Sequence, residues 1–166
     1  MTNLTLKGNP IHTSGPLPTV NSQAKDFHLV NQKLADVSLK DFQGKKKLLY
    51  TVPSLDTPVC SISTKKLSEG LQKHPNACFL LISADLPFAQ TRVCGSEKIE
   101  NIHTLSMMRS KQFAEDYGVL ITDGPLAGIC ARSVFILDEN NKIIYLQIVT
   151  EITEEPDYEA ALKQLV

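Results

Sequence analysis

Two uninterrupted apolar runs with a helical segment between them constrain the fold of this chain more than any other feature. Residues 48–52 read LLYTV and residues 77–83 read ACFLLIS, and apolar runs of this length predict strands that are buried on both faces. The segment between them has apolar side chains at helical spacing, namely Val59, Ile62, Leu67 and Leu71. A strand, a helix and a second strand in this order predict a parallel βαβ unit.

The carboxyl-terminal part of the sequence adds a hairpin and one more helix. Residues 133–138 (SVFILD) and 142–149 (KIIYLQIV) predict two strands joined by a turn at Glu139-Asn140-Asn141. The closing segment PDYEAALKQLV predicts a helix with Pro156 at its first position. This order of elements is expected of a thioredoxin-like α/β sandwich, in which helices flank a central mixed β-sheet.

The remaining elements are shorter. Residues 4–13 predict an amino-terminal β-hairpin that turns at Gly8-Asn9-Pro10. Two short strands are predicted at residues 27–30 and 37–42, and two helices at residues 88–94 and 110–119.

Length and charge limit the classes of function. The 166 residues, 42% of them hydrophobic, fit a single domain over residues 1–166, with the hairpin as an extension over residues 1–15. Seventeen basic and eighteen acidic residues give a net charge of −1, which offers no electrostatic reason for a nucleic acid or an acidic membrane as partner.

The four cysteines are expected to be reduced. No run approaches the roughly 20 apolar residues that span a bilayer, and MTNLTLKGNPIHTSG has no apolar core of a signal peptide. A cytoplasmic location is therefore the default expectation, and thiols are kept reduced there. Four cysteines are also too few for a disulfide scaffold, so each is expected to be buried, catalytic or metal-binding.

The stretch PSLDTPVC places one of these cysteines at the start of a helix. The residue before a proline is disfavoured in helical conformation and proline suits the first helical position, so Thr57 is expected as N-cap, Pro58 as N1 and Cys60 as N3. There Cys60 meets the positive end of the helix dipole, which favours its thiolate. Position alone leaves a structural cysteine equally open, but the junction after a strand is where open α/β folds place their sites. The Thr57 hydroxyl can cap the helix, donate to the sulfur, or do both.

The spacing Pro53-x3-Thr57-x2-Cys60 resembles the PxxxTxxC motif of the peroxiredoxins. Other stretches resemble the bacterial thiol peroxidase subfamily, an atypical two-cysteine type, and together they cover nearly the whole chain. They are SADLPFAQTRVCGSE at 83–97, YGV at 117–119, GPLAG at 124–128, AR at 131–132 and DENNKIIYLQIVTEITEEPDYEAAL at 138–162.

The resemblance implies a role for each of five residues. Cys60 would be the peroxidatic cysteine and Cys94 the resolving cysteine, while Thr57 and Arg132 would position the peroxide and stabilise the thiolate. Pro53 would shield the pocket from water. Two competing arginines, Arg92 and Arg109, are expected to be solvated or structural charges.

The resemblance also implies the reaction. Cys60 would reduce hydrogen peroxide or an organic hydroperoxide, become a sulfenic acid, and be resolved by Cys94 as an intramolecular disulfide. Thioredoxin would reduce that disulfide, and the protein would serve antioxidant defence as a homodimer without cofactor or metal. If the two cysteines do not touch in the reduced protein, one of their segments must unwind, and Gly95 within residues 91–96 is a candidate site.

The neighbourhoods of Leu86-Pro87-Phe88 and Ile121 are expected to form an apolar pocket mouth that favours alkyl hydroperoxides.

Two other classes of function remain as alternatives. A thioredoxin-like disulfide reductase is disfavoured because no CxxC pair follows Cys60. A metal-binding module that uses cysteines with His74 or His103 is disfavoured because the spacing is unlike that of zinc sites. Cys78 is expected to be a buried apolar residue, and Cys130 either structural filler or an accessory redox thiol.

Overall fold

A seven-stranded mixed sheet forms the centre of the computed structural model, which describes residues 2–166. The strands of the described residues are β1 (Asn3–Leu6), β2 (Asn9–His12), β3 (Leu29–Val30), β4 (Asp36–Val37), β5 (Lys46–Thr51), β6 (Ala77–Ser83), β7 (His103–Ser106), β8 (Ser133–Leu137) and β9 (Ile143–Ile148). The helices are α1 (Pro58–Leu71), α2 (Pro87–Ser96), α3 (Gln112–Asp116) and α4 (Tyr158–Lys163). The order β4-β3-β7-β6-β5-β8-β9 puts β5 and β6 near the middle of the sheet.

The predicted βαβ unit is confirmed. Strands β5 and β6 pair in parallel, with Leu48 opposite Phe79 and Tyr50 opposite Leu81, and α1 connects them. The predicted carboxyl-terminal hairpin is also confirmed, since β8 and β9 pair antiparallel. Together with the flanking helices, these elements give the thioredoxin-like α/β sandwich that the sequence predicts.

Alternation along the strands gives the sheet two apolar faces. Leu48 and Tyr50 of β5 face α1, α2 and α4 in one buried cluster, whereas Leu49 faces the hairpin and α3 in the other. Both Cys60 and Cys94 belong to the cluster on the helical face. The fold therefore places the two cysteines of the expected reaction on the same side of the sheet.

The amino-terminal hairpin is confirmed, but its turn differs from the prediction. Lys7 and Gly8 both have positive φ values, 51° and 81°, so these two residues form the turn between β1 and β2. Pro10 lies in β2 opposite Thr5 rather than in the turn. A two-stranded ribbon tolerates proline because both of its strands are edges.

Two further predictions were wrong in part. The predicted strand at 37–42 contributes only β4, and residues Leu39–Phe42 form a 3₁₀ helix that begins with a capping box between Ser38 and Asp41. Helix α4 begins at Tyr158 with Asp157 as its N-cap, so Pro156 precedes the cap instead of occupying the first position.

The buried face of α1 also differs in one residue. Leu67 and Leu71 are buried as expected, but Ile62 is 48% exposed. The buried stripe starts at Cys60 and continues through Thr64 to Leu67 and Leu71, with a spacing of three or four residues. Among the described residues, no helix is both long and apolar enough to cross a membrane.

Candidate functional site

Cys60 occupies the third position of α1, where the local rules place it. Thr57 is the N-cap and its Oγ1 accepts a hydrogen bond from the Cys60 backbone N–H at 3.4 Å, with Pro58 at the first helical position. The Cys60 side chain is fully buried. The sulfur thus lies at the positive end of a 14-residue helix and away from bulk water.

The Thr57 hydroxyl caps the helix and does not hold the sulfur. Its oxygen accepts from Cys60, and its single proton is donated to the Ser54 carbonyl oxygen at 3.2 Å. One hydroxyl has only one proton to give. The question that the sequence leaves open is therefore answered in favour of the cap.

Arg132 brings a positive charge to the sulfur. It immediately precedes β8, is 3% exposed, and donates from Nη1 to Cys60 Sγ at 3.0 Å. The same nitrogen lies 3.0 Å from the Tyr50 hydroxyl, and Nε donates to the Ile152 carbonyl oxygen at 3.1 Å. Burial acts to lower the pKa of the guanidinium, but Tyr50 and Cys60 together raise it above its ordinary value. The charge on Arg132 is thus maintained beside the thiol.

Tyr50 is a member of the site that the sequence analysis missed. It is fully buried in β5, and burial raises the pKa of its phenol. A neutral phenol oxygen can accept from Arg132 without competing for its charge. The available signal was a tyrosine inside a buried strand, since a buried hydroxyl needs a hydrogen-bond partner.

The amino-terminal hairpin supports the other side of Arg132. Thr5 N–H donates to the Thr150 carbonyl at 2.8 Å, and Ile152 N–H donates to the Thr5 carbonyl at 3.0 Å. Thr5 Oγ1 also donates to the Glu151 carboxylate at 2.7 Å. The Ile152 carbonyl that orients Arg132 therefore belongs to a segment that the hairpin holds in place.

Cys94 is a buried thiol that forms no disulfide. It is 7% exposed on α2, all four cysteines are free, and burial raises its pKa to about 11. The structure thus joins Cys60, Thr57 and Arg132 by hydrogen bonds but does not bond Cys94 to Cys60. Pro53 is buried in the connection between β5 and α1.

Comparison with known proteins identifies the group to which this site belongs. The family model described as Redoxin matches residues 19–162. The chain belongs to the redoxin family. A curated protein from Corynebacterium glutamicum, named Thiol peroxidase, is 48% identical over 159 residues and 96% of each chain.

Solved structures place this redoxin among the bacterial peroxiredoxins. A peroxiredoxin-like protein from Aquifex aeolicus is 40% identical with a TM-score of 0.92, over 98% of this chain and 95% of that one. A thiol peroxidase from Chromobacterium violaceum has the same TM-score at 25% identity, over 98% and 94% of the two chains. Mycobacterium tuberculosis AhpC, at 21% identity, a TM-score of 0.77 and coverage of 90% and 92%, shows the shared fold alone.

The other two cysteines of this peroxiredoxin lie in the core on the opposite face of the sheet from Cys60. Cys78 is buried in β6, as expected, and burial raises the pKa of its thiol. Cys130 is fully buried, with its sulfur 3.5 Å from Met107 Sδ, and burial raises its pKa to about 12. This placement favours the structural alternative for Cys130 over an accessory redox thiol.

The competing arginines are exposed, and only some of the apolar residues expected at the pocket mouth lie there. Arg109 is exposed and pairs with Asp36 at 2.8 Å, and Arg92 is exposed on α2. Phe88 is 67% exposed and, with Leu86 and Asp56, lines a surface groove between α2 and the connection before α1. The prediction that Ile121 lines the pocket mouth was wrong, because this residue is buried in the cluster on the other face.

Metal ligation gains no support from the side-chain arrangement. Within residues 2–166, no three His, Cys, Asp or Glu side chains are grouped in a way that could hold a metal ion. His103 lies at the start of β7 and its ring contacts Phe42 edge-on, so it has a packing partner instead.

Proposed function

We propose that this peroxiredoxin is a thiol peroxidase in which Cys60 reduces hydrogen peroxide and organic hydroperoxides. The observation that carries the proposal is the 3.0 Å contact between Arg132 Nη1 and Cys60 Sγ in the first turn of α1. A guanidinium and a helix amino terminus both favour the thiolate, which is the nucleophilic form of cysteine. The name of the Corynebacterium glutamicum relative supports the same activity.

In the first proposed step, the Cys60 thiolate attacks one oxygen of the peroxide and the O–O bond breaks. The sulfur is oxidised to a sulfenic acid, and the leaving oxygen takes up a proton and departs as water or an alcohol. Arg132 stabilises the negative charge that develops on the leaving oxygen. Thr57 keeps the first turn of α1 in place through its cap, and Pro53 shields the sulfur from water.

In the second proposed step, Cys94 acts as the resolving cysteine. Its sulfur attacks the sulfur of the sulfenic acid, an S–S bond forms, and the S–O bond breaks with release of water. Because both thiols are buried and unbonded in the reduced protein, local unwinding must precede this step. Gly95 in the last turn of α2 is the expected site of that unwinding. Thioredoxin then reduces the disulfide by thiol–disulfide exchange.

The groove beside the site supports a preference for alkyl hydroperoxides. Leu86 and Phe88 expose apolar surface there, and an apolar substituent of a substrate would gain from covering it. Replacing Phe88 with Ser is expected to lower kcat/KM for cumene hydroperoxide and leave that for hydrogen peroxide unchanged. Equal losses for both substrates would contradict the preference.

Three further features belong to the proposal. The chain acts in the cytoplasm, where a thioredoxin system keeps thiols reduced. It forms a homodimer whose interface buries the exposed side chain of Ile62. Residues 1–166 form one domain. Light scattering on the eluting peak of a sizing column tests the dimer, and a monomer at micromolar concentration would contradict it.

Intact mass after one equivalent of hydroperoxide tests the central proposal. The wild-type protein is expected to lose two hydrogens as the disulfide forms. Cys60→Ser should show no change, and Cys94→Ser should gain one oxygen that dimedone traps as a sulfenic acid adduct. Cys78→Ser and Cys130→Ser are matched controls that should still lose two hydrogens. Peroxide consumption that survives Cys60→Ser would overturn the proposal.

A further inference from the structure

We propose that Asp85 is a positioning residue that fastens the connection before the Cys60 helix to the base of the Cys94 helix. The inference rests on the proposed function of the two cysteines. Asp85 lies in the short connection between β6 and α2 and is partly buried. Its two carboxylate oxygens face the segment that leads into α1.

The carboxylate holds that segment at two successive residues. Oδ1 accepts from the Ser54 hydroxyl at 2.8 Å, and Oδ2 accepts from the Leu55 backbone N–H at 2.7 Å. Hydrogen bonds to an ionised carboxylate are about twice as strong as neutral ones. Asp85 therefore supplies the principal polar anchor for the connection between β5 and α1.

The anchor extends to the candidate nucleophile through the chain itself. The carbonyl of Ser54 accepts the Thr57 hydroxyl at 3.2 Å, and that hydroxyl accepts the Cys60 N–H at 3.4 Å. A continuous series of hydrogen bonds thus runs from Asp85 through Ser54 and Thr57 to Cys60. Displacement of Ser54 would loosen the cap that sets the position of the sulfur opposite Arg132.

On its other side, the anchor extends into α2. Ser83 Oγ donates to Asp85 Oδ2 at 2.8 Å, and the buried Gln90 donates from Nε2 to Ser83 Oγ at 3.0 Å and to the Leu105 carbonyl at 3.1 Å. Gln90 precedes Cys94 by four residues, so both side chains lie on the same face of the helix. Asp85 therefore sits at the centre of a network that reaches both cysteine segments.

The network of Asp85 affects the two chemical steps in opposite ways. Peroxide attack needs Cys60 held opposite Arg132, which the intact network provides. Disulfide formation needs the sulfurs of the two buried cysteines to approach each other. For that, we expect the connection between β5 and α1 to separate from α2, so that one of the two segments can rearrange. Asp85 thus favours the first step and restrains the second.

Replacing Asp85 should therefore change the two rate constants in opposite directions. In Asp85→Ala, the rate constant of peroxide attack is expected to fall about 10- to 100-fold, as is typical when a reacting group loses its positioning. The rate constant of disulfide formation should rise, because the restraint on the two cysteine segments is removed. Asp85→Asn should be intermediate, because its amide oxygen can still accept from Leu55 and its nitrogen can donate to Ser54. A merely structural role would instead leave both steps unchanged or slow both.

Rapid quench followed by mass spectrometry measures the rate constants of both steps. Tryptophan fluorescence cannot be used for this purpose because the chain contains no tryptophan. The Cys94→Ser background isolates peroxide attack, and the full chain reports formation of the disulfide. Asp26→Ala is the matched control, since Asp26 also joins two segments by accepting the backbone N–H groups of Phe27 and Leu39, each at 2.9 Å. This control should leave both rate constants unchanged.

The outcomes separate this inference from the function on which it rests. If the wild-type protein forms no sulfenic acid at Cys60, the proposed function fails. If it does, but Asp85→Ala leaves both rate constants unchanged or slows both, only the role of Asp85 is overturned. Should Asp85→Ala not fold, Asp85→Asn and Ser54→Ala serve in its place, and the same shift toward the second step is required of each.

Discussion

At the scale of single residues, Arg132 shows how the fold holds a positive charge beside a buried thiol. It is a buried cation whose donors reach the sulfur of Cys60, the phenol of Tyr50 and the carbonyl of Ile152. Removing a buried charge from water is unfavourable unless its donors find partners, and these three partners accept from Nε and Nη1. The guanidinium is planar, so it can contact them from fixed directions that an ammonium group cannot reproduce.

Arg132→Lys is expected to lower the rate constant for reaction with peroxide about 100- to 1,000-fold, the effect of losing one donor that stabilises a developing oxyanion. The variant keeps the charge but loses the planar group in which Nη1 donates to Cys60 and Tyr50 while Nε donates to Ile152. Competition against a peroxidase of known rate measures the constant. Arg109→Lys is the control, because Arg109 is exposed and paired with Asp36. A wild-type rate in Arg132→Lys would show that charge alone is sufficient.

Cys94 provides a second prediction at this scale. Burial raises its pKa to about 11, so in the folded protein its thiol remains protonated at neutral pH and only the thiolate is alkylated. Alkylation of Cys94 by iodoacetamide should therefore be slow at pH 7 and accelerate as the pH approaches 11. Peptide mapping after timed quenching measures it. Fast alkylation at pH 7 would indicate that α2 opens readily in the reduced protein.

Local rules explain why some site residues could be predicted and others not. The cap at Thr57 and the N3 position of Cys60 follow from the Thr57-Pro58 pair, which sets where the helix begins. Residues that are adjacent along the chain are therefore sufficient to predict both positions. Asp85 and Tyr50 act through partners far away in sequence, and nothing near them along the chain identifies those partners. The SADLP stretch contributes to the family resemblance, yet its carboxylate acquires a role only when the fold brings it to Ser54.

At the scale of elements, the buried strands of the βαβ unit were predictable and the marginal elements were not. Continuous apolar runs identify β5 and β6 because both of their faces are covered. The segment at 37–42 has apolar residues at positions 37, 39 and 42, but the capping box of Ser38 and Asp41 stabilises a 3₁₀ turn instead. Strand β7 was missed because its four residues, HTLS, are too short and polar to show a pattern.

The hairpin provides the prediction at the scale of elements. Hydrogen bonds from Thr5, and from the backbone N–H groups of Gly8 and Lys7, lower the pKa of Glu151 to about 2. A lowered pKa means that this contribution to stability is present above the ordinary value of 4.5 and is lost as the pH falls through about 2. The hairpin should therefore stay attached in moderately acidic solution and detach near pH 2.

Glu151→Gln should detach the hairpin more readily at neutral pH. Amide exchange of Lys7 and Gly8 is expected to accelerate, since the charged acceptor of both N–H groups is lost. Peroxide reactivity should fall several-fold, because the segment that presents the Ile152 carbonyl to Arg132 is loosened. Exchange followed by NMR measures the first effect. Glu154→Gln, on an exposed side chain in the same segment, should alter neither.

At the scale of the whole molecule, one sheet supports two different cores. The helical face contains Cys60 and Cys94, and the opposite face contains Cys78, Cys130 and the residues that the hairpin covers. Periodicity in sequence predicts that each element has a buried side, but it does not assign elements to faces. For this reason Ile121 was expected at the pocket and lies instead on the opposite face. The sheet order, with β5 between β6 and β8, likewise depends on pairings that no local pattern specifies.

Because both cores share the sheet and both contain buried thiols, alkaline pH should destabilise the whole protein in one transition. Burial raises the pKa of Cys94 to about 11 and that of Cys130 to about 12, from an ordinary value of 9.0. A raised folded-state pKa gives stability that is present below the unfolded value and is lost as the pH rises toward the folded one. At pH 10.5, ionisation of Cys130 in the unfolded chain alone should lower the free energy of unfolding by about 2 kcal/mol. Urea unfolding under reducing conditions at pH 8 and pH 10.5 measures the loss, and Cys130→Val should show a smaller one than the wild type. The same loss in both proteins would contradict the assignment, and two separate transitions would contradict a single domain over residues 1–166.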